Sequence, residues 1–446
     1  TPCFDHCMAG SRRSAFAMGW TAPMLGSTTS SSHVADNALN IQLHDFSGHP
    51  FQADLSRALA QRGYLVDHAY STQYSSGKGR LRREVGDPAS LSFTGITTHH
   101  EFEKYRPRKR VVFEIGYARA WCAHVNNTNP DLVIACNVPL LSLAYFRRFA
   151  ARRRQRWLLW HQDIFSLALS EEIDRKVPAF AAPAARGIVN RLEKNVVSSA
   201  SGVIAIGDGF KKHYLERWGL ERETEVIPNW APVNDIVPSS TSNSWSTQQI
   251  PSRGELLLLY AGTLGRKHNP RILIDLIEAA HEQGIDARLV VVSEGEGAEA
   301  VKAAETTAKD SLQVLPFQPA SEFSEVLASA DVLVAILEPS ASEFSIPSKV
   351  LSYLAAGRPI LGIMPESNPA AADIRTVGGY VAEPTNDGVA AAAAWLRRLR
   401  DDPSLRAQVG ASAREYAVQR FGIESIADRF ENVIRKVATV ESPPGA

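Results

Sequence analysis

The sequence predicts an α/β protein built from two doubly wound domains. A chain of 446 residues is too long for one ordinary hydrophobic core, and it suggests two domains of roughly 200 residues each. Short apolar runs of strand length, such as 131–135 and 331–337, alternate with helical patterns along the chain. This alternation is typical of parallel sheets that are covered by helices on both faces.

Composition divides the chain into five segments. The first has no sustained period and is predicted to be a disordered extension, and the third is rich in Ser, Thr, Asn, Gln and Pro, which favours a linker. The last combines a helical pattern with a tail. In order, the segments are the extension 1–37, the first domain 38–232, the linker 233–253, the second domain 254–421 and the terminal segment 422–446.

Charge and cysteine usage narrow the function classes. The formal charge is balanced, which does not favour nucleic acid as a partner, and no run approaches the roughly 20 apolar residues of a membrane span. The four cysteines lack the paired spacing of a disulfide framework, which indicates a reducing, cytoplasmic compartment. Cys3, His6 and Cys7 have no second pair of ligands nearby, so no metal site is predicted.

The segment 343–361 predicts a turn, a helix and a return to strand. Pro347 suits a first helical turn, Gly357 can end the helix in the left-handed conformation, and Pro359 prevents continuation. The apolar run 331–337 precedes it, so the helix starts at the carboxyl end of a strand, where N–H groups favour anions. Lys349 adds positive charge there, which indicates a bound phosphate, with a solvated surface lysine as the alternative.

Together with the strand before it, this segment resembles the donor-binding segment of glycosyltransferase family 4. The similarity is greatest to the polysaccharide-assembly subgroup of colanic acid and O-antigen type enzymes, written Pro-Ser-Lys…Leu-Ala-x-Gly-(Arg/Lys)-Pro. The order of elements from about 41 to 430 is also similar to that of the family. The resemblance implies the GT-B fold, with two Rossmann-like domains, an interdomain cleft for a nucleotide sugar, and a terminal helix that crosses back.

The resemblance also implies which residues of this segment contact the donor. They are Glu343, Ser348, Lys349 and Ser352. The family usually carries two glutamates eight residues apart, of which the second bonds the donor ribose. Here Ser352 occupies the second place, and Glu343 lies one residue from the expected first, so the ribose contact departs from the family pattern.

Candidate residues of the first domain follow predicted strands. Gly48 follows the strand 41–46 and permits close approach of a ligand, although a plain tight turn explains it equally well. The resemblance implies that this loop faces the donor phosphates and the acceptor. The strand beginning at Trp157 ends in polar residues, and the resemblance places His161 or Asp163 near the reacting sugar. The register is open, and a histidine at the edge of the core is the alternative.

Candidate residues of the second domain begin with the loop that opens at Gly262. Arg266 and Lys267 stand there beside a predicted helix start, where the resemblance places an arginine and a lysine against the donor pyrophosphate. Thr263 occupies the usual position of that arginine, and Lys267 best matches the lysine.

The next strand is followed by a glycine turn that formally fits Gly-x-Gly-x-x-Ala. A dinucleotide site is not favoured, because the following strand ends without an acidic residue to hold a ribose. The resemblance instead places Glu294 and Gly295 beside the donor and Phe317 at the border of the base.

A run of six arginines lies between Arg147 and Arg156. Such runs are usually solvated, but arginines near a surface also attract anionic lipid head groups at about 1 kcal/mol each. Peripheral contact with the inner face of a membrane is therefore an open alternative to a freely cytoplasmic protein.

Taken together, these patterns predict a retaining glycosyltransferase that moves a sugar from a nucleoside diphosphate sugar to a glycan or a lipid-linked acceptor. The catalytic candidates are His161, Asp163 and Lys267. No Asp-x-Asp occurs, so the chemistry is expected to need neither a metal nor another cofactor, with fixed cations stabilising the departing diphosphate. Two alternatives are a nucleotide-sugar epimerase of the same architecture and a non-catalytic sugar-nucleotide-binding partner.

Overall fold

The fold is taken from a computed structural model that describes residues 38–74, 80–99, 102, 106–250, 254–264, 268–338 and 348–439. The predicted extension 1–37 lies outside the described residues. So do Arg266, Lys267 and Glu343.

A seven-stranded sheet forms the first half of the molecule, and its strands are all parallel. The strand order is β3-β2-β1-β4-β5-β6-β7, so the chain winds outward from the centre in both directions. The strands are β1 (Asn40–Asp45), β2 (Leu65–Ser71), β3 (Leu91–Ile96), β4 (Leu132–Cys136), β5 (Trp157–His161), β6 (Gly202–Ala205) and β7 (Glu225–Val226).

In the described part of this half, six helices connect or flank these strands. They are α1 (Pro50–Gln61), α2 (Pro107–Thr128), α3 (Leu140–Arg153), α4 (Phe165–Lys176), α5 (Ala182–Ser199) and α6 (Gly209–Trp218). The sequence predicts one long helix before β6, but the structure has two. Helix α4 ends at Lys176, and Pro178 in the connection disfavours a helical conformation for the residue before it, which separates α4 from α5.

A six-stranded parallel sheet forms the second half, in the order β10-β9-β8-β11-β12-β13. Successive residues of β8 and β11 point alternately into two separate cores, which explains why both strands are continuous apolar runs. The strands are β8 (Leu256–Ala261), β9 (Ala287–Val292), β10 (Leu312–Leu315), β11 (Val332–Ile336), β12 (Ile360–Ile363) and β13 (Tyr380–Ala382).

Among the residues that the structure describes, nine α-helices complete the second half and the end of the chain. They are α7 (Ser244–Gln249), α8 (Arg271–Glu282), α9 (Glu296–Ala303), α10 (Phe323–Ala328), α11 (Ser348–Ala356), α12 (Pro369–Thr376), α13 (Asn386–Asp401), α14 (Pro403–Phe421) and α15 (Ile423–Thr439). The last of them, α15, contributes Ile426, Phe430 and Ile434 to the core of the first sheet. The two-sheet α/β architecture therefore agrees with the fold class that the sequence predicts.

The segment predicted as a linker is packed rather than extended. Ile236, Trp245 and Ile250 are buried in one core of the second sheet. The Arg414 guanidinium donates hydrogen bonds of 2.8 Å to the carbonyl oxygens of Val233 and Ile236, which fixes the segment to α14. The chain crosses between the two halves twice, and the crossings meet where the Ala231 N–H donates to the Phe421 carbonyl at 2.8 Å.

His44 on β1 and His68 on β2 are fully buried in the first sheet. His44 Nε2 lies 3.0 Å from the Tyr117 hydroxyl, and His68 Nδ1 lies 2.8 Å from the Ser56 hydroxyl. Burial disfavours the imidazolium and lowers the pKa of both histidines to about 3, from the usual value of 6.5. Both rings are therefore neutral in the folded protein at neutral pH.

We expect this pair to make the fold acid-sensitive. Between pH 6.5 and pH 3 the unfolded chain binds protons at these histidines and the folded chain does not, so the free energy of unfolding falls as the pH falls. The expected loss between pH 7.5 and pH 5 is about 2 kcal/mol for each histidine. Urea denaturation at both pH values measures it, and His44→Gln should reduce the difference. An equal pH slope in the variant would contradict the assignment.

Candidate functional site

Each sheet has one position where the winding direction changes. In the first sheet it lies between β1 and β4, and in the second it lies between β8 and β11. Loops that leave neighbouring strands in opposite directions at such a position open a crevice at the carboxyl ends, which is where open α/β sheets bind ligands. The predicted site residues are therefore expected at the two switch points.

The second switch point brings Gly262 and Lys349 together. Gly262 follows β8 with a φ of +139°, a conformation that favours glycine. A side chain added at Gly262 would begin 3.5 Å from Lys349 Cε and 3.7 Å from Lys349 Nζ, so the lysine lies directly over this turn. Two residues that are 87 positions apart in the sequence thus share one crevice.

Two tyrosines hold the turn in place. The Tyr353 hydroxyl lies 2.9 Å from the Ala261 N–H and 3.1 Å from the Ala261 carbonyl, which satisfies both backbone groups at the end of β8. The Tyr260 hydroxyl donates to the Thr263 carbonyl at 2.9 Å. Neither tyrosine was predicted as a site residue, because each lies within a mainly apolar stretch in which a core aromatic residue is expected.

The Lys349 ammonium is held in a desolvated position. It lies 4.1 Å from the centre of the Tyr260 ring, donates to the Tyr260 hydroxyl, and lies 3.4 Å from His268 Nε2. Burial lowers the pKa of Lys349 to about 7, and its contacts in the described part of the chain are with Tyr260 and His268 rather than with a carboxylate. A bound anion would supply the missing negative charge and favour the protonated amine.

Helix α11 presents three predicted donor contacts on one face. Ser348, Lys349 and Ser352 are spaced so that they lie on the same side of the helix, with Ser348 exposed and Ser352 half-buried. The opposite side carries buried apolar residues that pack into the sheet. The first turn of α11 and the Lys349 ammonium thus offer N–H donors and positive charge at the same place.

The neighbouring turns of the second sheet are linked to this crevice. Glu294 Oε1 accepts a hydrogen bond from the Phe317 N–H at 3.1 Å, which joins the ends of β9 and β10, and both residues are exposed. Gly295 has a φ of +91° and immediately precedes α9. A side chain at Gly297 would lie 2.5 Å from Leu264 Cβ, so α9 packs closely on the turn after β8.

The first switch point is organised by a buried carboxylate. Asp45 accepts hydrogen bonds from the His49 N–H at 2.5 Å, the Ser47 N–H at 3.3 Å and the Asn137 amide at 2.9 Å. Burial raises the pKa of Asp45, although these hydrogen bonds oppose the increase. Gly48 lies inside the loop that Asp45 holds, with a φ of +72°. Asn137 itself has a φ of +53°. This backbone conformation is rare outside glycine, and the surrounding structure holds the residue in it.

This arrangement places His49 beside the first switch point. Its ring is partly exposed at the start of α1, and its Nδ1 lies 3.3 Å from the Asn137 amide. The glycine turn was predicted from the sequence, but Asp45 and Asn137 were not predicted as site residues. The available signal was that both polar residues end or follow apolar strands.

The three polar residues at the end of β5 have different environments. His161 is only 3% exposed, with Nδ1 2.5 Å from the Tyr214 hydroxyl and Nε2 3.2 Å from Glu193 Oε1. Gln162 forms two amide hydrogen bonds with Asn229, and Asp163 is exposed. Both ring nitrogens of His161 therefore have protein partners, so this residue fits a positioning role better than direct contact with a substrate.

Glu193 explains why His161 is held there. Its carboxylate also accepts hydrogen bonds from the Phe165 and Ser166 N–H groups at 2.7 and 2.8 Å, so it closes the start of α4. Burial alone would raise the pKa of Glu193, but the hydrogen bond from His161 and those from Ser166 outweigh it, and the pKa is lowered. A charged carboxylate is thus stabilised beneath the end of β5.

The predicted arginine run lies away from the switch points. It occupies the last turns of α3 and the connection to β5, and because α3 runs antiparallel to the strands, this places it at the amino edge of the first sheet. Arg152 and Arg153 are exposed there. Among the described helices, none combines the length and apolar composition that crossing a bilayer requires. The described His, Cys, Asp and Glu residues form no group of three suited to hold a metal ion.

Comparison with protein families decides the classification. Residues 51–234 match the model described as Glycosyltransferase Family 4, and residues 255–402 match the model described as Glycosyl transferases group 1. The chain belongs to glycosyltransferase family 4. The first match covers β2 to β7 of this family 4 protein, and the second covers β8 to β13 and contains the second switch point.

A curated relative is the probable glycosyltransferase WbjE of Pseudomonas aeruginosa. It is 24% identical over 275 residues, which cover 61% of this chain. The matched region spans 66% of that relative's length.

Solved structures share the fold across most of the chain. Sucrose-phosphate synthase from Thermosynechococcus elongatus aligns with a TM-score of 0.63 and 19% identity, covering 90% of this chain and 99% of that one. HepE of Anabaena in complex with UDP-glucose aligns with a TM-score of 0.63 and 15% identity, covering 89% and 99%. Together with the two parallel sheets, these alignments confirm the GT-B fold that the sequence predicts.

The Tyr353 hydroxyl can be tested directly. We expect Tyr353→Phe to lower the free energy of unfolding by about 1–3 kcal/mol, because it leaves the Ala261 N–H without its hydrogen-bond partner in a buried position. Urea denaturation measures the change. Tyr416→Phe, which removes a hydroxyl that contacts Asp373 away from the crevice, is the matched control.

The same variant should loosen the turn at Gly262. We therefore expect weaker nucleoside diphosphate binding in Tyr353→Phe and parent-like binding in Tyr416→Phe. If Tyr353→Phe unfolds at the parent's urea concentration, the hydrogen bonds to Ala261 are not a constraint on this crevice.

Proposed function

We propose that this protein transfers a sugar from a nucleoside diphosphate sugar to a glycan or a lipid-linked acceptor, with retention of anomeric configuration. The observation that carries the proposal is the meeting of a desolvated lysine, a glycine turn and a helix start at the switch point of the second sheet. This combination suits a diphosphate, because positive charge and N–H donors converge where the backbone can be approached closely.

Leaving-group stabilisation is the part of the chemistry that this site supports. When the bond between the sugar and the diphosphate breaks, negative charge develops on the departing oxygen. Lys349 and the first turn of α11 are fixed in place before the reaction, so they can stabilise that charge with little reorganisation. We assign Arg266 and Lys267 to the same diphosphate, as the family resemblance implies, and Ser348 and Ser352 to the nucleoside side.

The other contacts complete the proposed donor site. We place Glu294, Gly295 and Phe317 beside the base and ribose, because their turns adjoin the crevice. Gly48 and the partly exposed His49 are proposed to face the reacting sugar from the first domain, with Asp45 and Asn137 as positioning residues. Asp163 is the exposed carboxylate in this part of the site. His161 is proposed to position it by fixing the end of β5.

The donor itself is proposed from a structural neighbour. HepE of Anabaena is described in complex with UDP-glucose, so UDP-glucose is the first donor to test. A place in polysaccharide assembly rests on the Pro-Ser-Lys…Leu-Ala-x-Gly-Arg-Pro pattern. The family matches do not favour the epimerase alternative.

A donor panel tests the proposal. The full chain is incubated with individual nucleoside diphosphate sugars, thermal unfolding shifts identify those that bind, and release of nucleoside diphosphate is then measured with and without candidate acceptors. Binding followed by donor hydrolysis or transfer supports the proposal. Binding without any turnover across the panel would favour a non-catalytic partner, and interconversion of two sugar nucleotides would favour an epimerase.

Lys349 provides the sharpest single substitution. We expect Lys349→Ala to weaken binding of a nucleoside diphosphate sugar by about 1.5–3 kcal/mol, because a charge-assisted hydrogen bond to the diphosphate is lost. Calorimetry measures the change. Lys302→Ala, which removes an exposed lysine that pairs with Glu299 on α9, is the control and should bind like the parent.

The pH dependence of this binding separates Lys349 from other cations. Since its pKa is lowered to about 7, part of the population must take up a proton on binding, and affinity should fall as the pH rises above 7. Lys349→Ala should lose that dependence. A parent and variant with the same affinity, or with the same pH profile, would reject the assignment.

Ser352 tests the departure from the family pattern. We expect Ser352→Glu to tighten a ribonucleotide donor by about 1–2 kcal/mol, because a carboxylate can accept hydrogen bonds from the ribose hydroxyls and the position is only half-buried. Ser352→Gln, which has similar length without the charge, should gain less. Lost binding with the fold retained would indicate a pocket rebuilt around serine. Unchanged affinity in both variants would remove Ser352 from the ribose site.

A further inference from the structure

The end of β5 is held from both faces of the first sheet. Successive side chains along a strand point to opposite faces, so Trp160 and Gln162 share one face and His161 points to the other. On its own face, His161 contacts Tyr214 of α6 and Glu193 of α5. The contacts on the opposite face come from a different part of the chain.

Two consecutive residues that follow β7 make those contacts. The buried rings of Trp230 and Trp160 stack with their centres 5.9 Å apart. The Gln162 amide donates to the Asn229 side-chain oxygen at 3.0 Å, and the Asn229 amide donates back to Gln162 at 3.1 Å. We call this reciprocal contact between the half-buried side chains of Gln162 and Asn229 the amide pair. Because each side chain is donor and acceptor to the other, the pair fixes both orientations.

The amide pair links the end of β5 to the place where the two halves meet. β6 lies between β5 and β7, so Asn229 reaches across the end of β6 to bond Gln162. Two residues after Asn229, the Ala231 N–H donates to the Phe421 carbonyl where the chain crosses between the halves. A torsional change at the crossings therefore reaches the end of β5 through one short segment.

The same strand end adjoins the first switch point. The Gln162 amide also bonds Cys136, the last residue of β4. Burial raises the pKa of the Cys136 thiol, and the charges of Asp45 and Asp163 raise it further, so both carboxylates lie close to this thiol. Asp163, which directly follows Gln162, therefore lies near the carboxylate that organises the first switch point.

We propose that Gln162 and Asn229 are positioning residues for glycosyl transfer, which hold Asp163 in place relative to the second half of the molecule. The inference rests on the proposed function, because that function assigns Asp163 to the site of the reacting sugar. The two amides bond each other, which fits a positioning role better than direct contact with a substrate. A misplacement of about 1 Å in a reacting group can lower a rate by roughly a hundredfold.

The proposal separates transfer from donor binding. The donor contacts assigned to Gly262 and Lys349 lie at the second switch point, and the amide pair lies in the first half. Loss of the pair should therefore lower the turnover rate and leave donor affinity nearly unchanged. A contact that only stabilises the fold would instead lower the free energy of unfolding without this separation.

Exchange of the two side chains tests this role. Gln162 has one methylene more than Asn229, so the double variant Q162N/N229Q keeps the combined length of the pair and its reciprocal hydrogen bonds. The single variants Q162N and N229Q shorten or lengthen the pair, and N229A removes it. Asn190→Ala is the matched control, because it removes side-chain hydrogen bonds with Trp218 and Arg186 in the same half. Urea denaturation shows that each variant is folded.

Turnover is measured as release of nucleoside diphosphate by the full chain, and donor affinity is measured by calorimetry. We expect N229A and both single exchanges to lower the turnover rate about tenfold or more, with donor affinity within about twofold of the parent. Q162N/N229Q should recover most of the rate, and N190A should match the parent. The proposal is overturned if N190A loses as much, if the double variant recovers nothing, or if donor affinity falls with the rate.

Hydrogen exchange distinguishes failure of this inference from failure of the proposed function. A parent that turns over no donor in the panel would contradict the proposed function, and the amide pair is then tested by exchange alone. We expect N229A to speed deuterium uptake in the peptide around Gln162, and Q162N/N229Q to restore the parent's uptake. Faster uptake in N229A supports the inference that the pair holds the end of β5. Parent-like uptake in N229A would overturn it, whether or not the parent is active.

Discussion

The hydrogen bonds between the Tyr353 hydroxyl and Ala261 are the constraint on which the second crevice depends. A parallel strand that ends at a switch point leaves backbone groups without a neighbour, and those groups are costly when buried. Tyr353 satisfies the N–H and the carbonyl of the same residue from a helix that lies across the crevice. This contact fixes the distance between the end of β8 and α11, and Lys349, one helical turn before Tyr353, is thereby placed over Gly262.

Much of the fold could be predicted because its cause is local. The run 331–337 became β11 and the run 131–135 became β4, since continuous apolar stretches of strand length fit a sheet covered on both faces. The end of α11 also followed from local chemistry, because Gly357 takes the left-handed conformation just after its last residue. The separation of α4 from α5 was missed, because one long helix was predicted there although Pro178 disfavours a helical conformation for the residue before it.

The candidate site could be predicted only in part. Positions that follow a strand, such as Gly48, Gly262 and Lys349, are recognisable because strand ends are recognisable. The partners of those positions are not, because Tyr353 and Ala261 are 92 residues apart and no periodicity links them. His161 shows the same limit. Its place at the end of β5 was predicted, but its hydrogen bonds to Glu193 and Tyr214 come from α5 and α6 and can be seen only in three dimensions.

The meeting of the two chain crossings has a mechanical consequence. Ala231 and Phe421 are hydrogen-bonded, so the two segments that cross between the halves, one at Ala231 and one at Phe421, pass side by side. Two covalent connections at one place resist separation of the halves. They resist rotation of one half against the other only weakly when the rotation axis passes through that place. On the far side, Arg414 fixes the segment after Ala231 to α14, so torsion concentrates in the few bonds around the crossings instead of spreading along the segment. The geometry is that of a short pivot rather than a flexible tether, and a small torsional change there is amplified with distance from it.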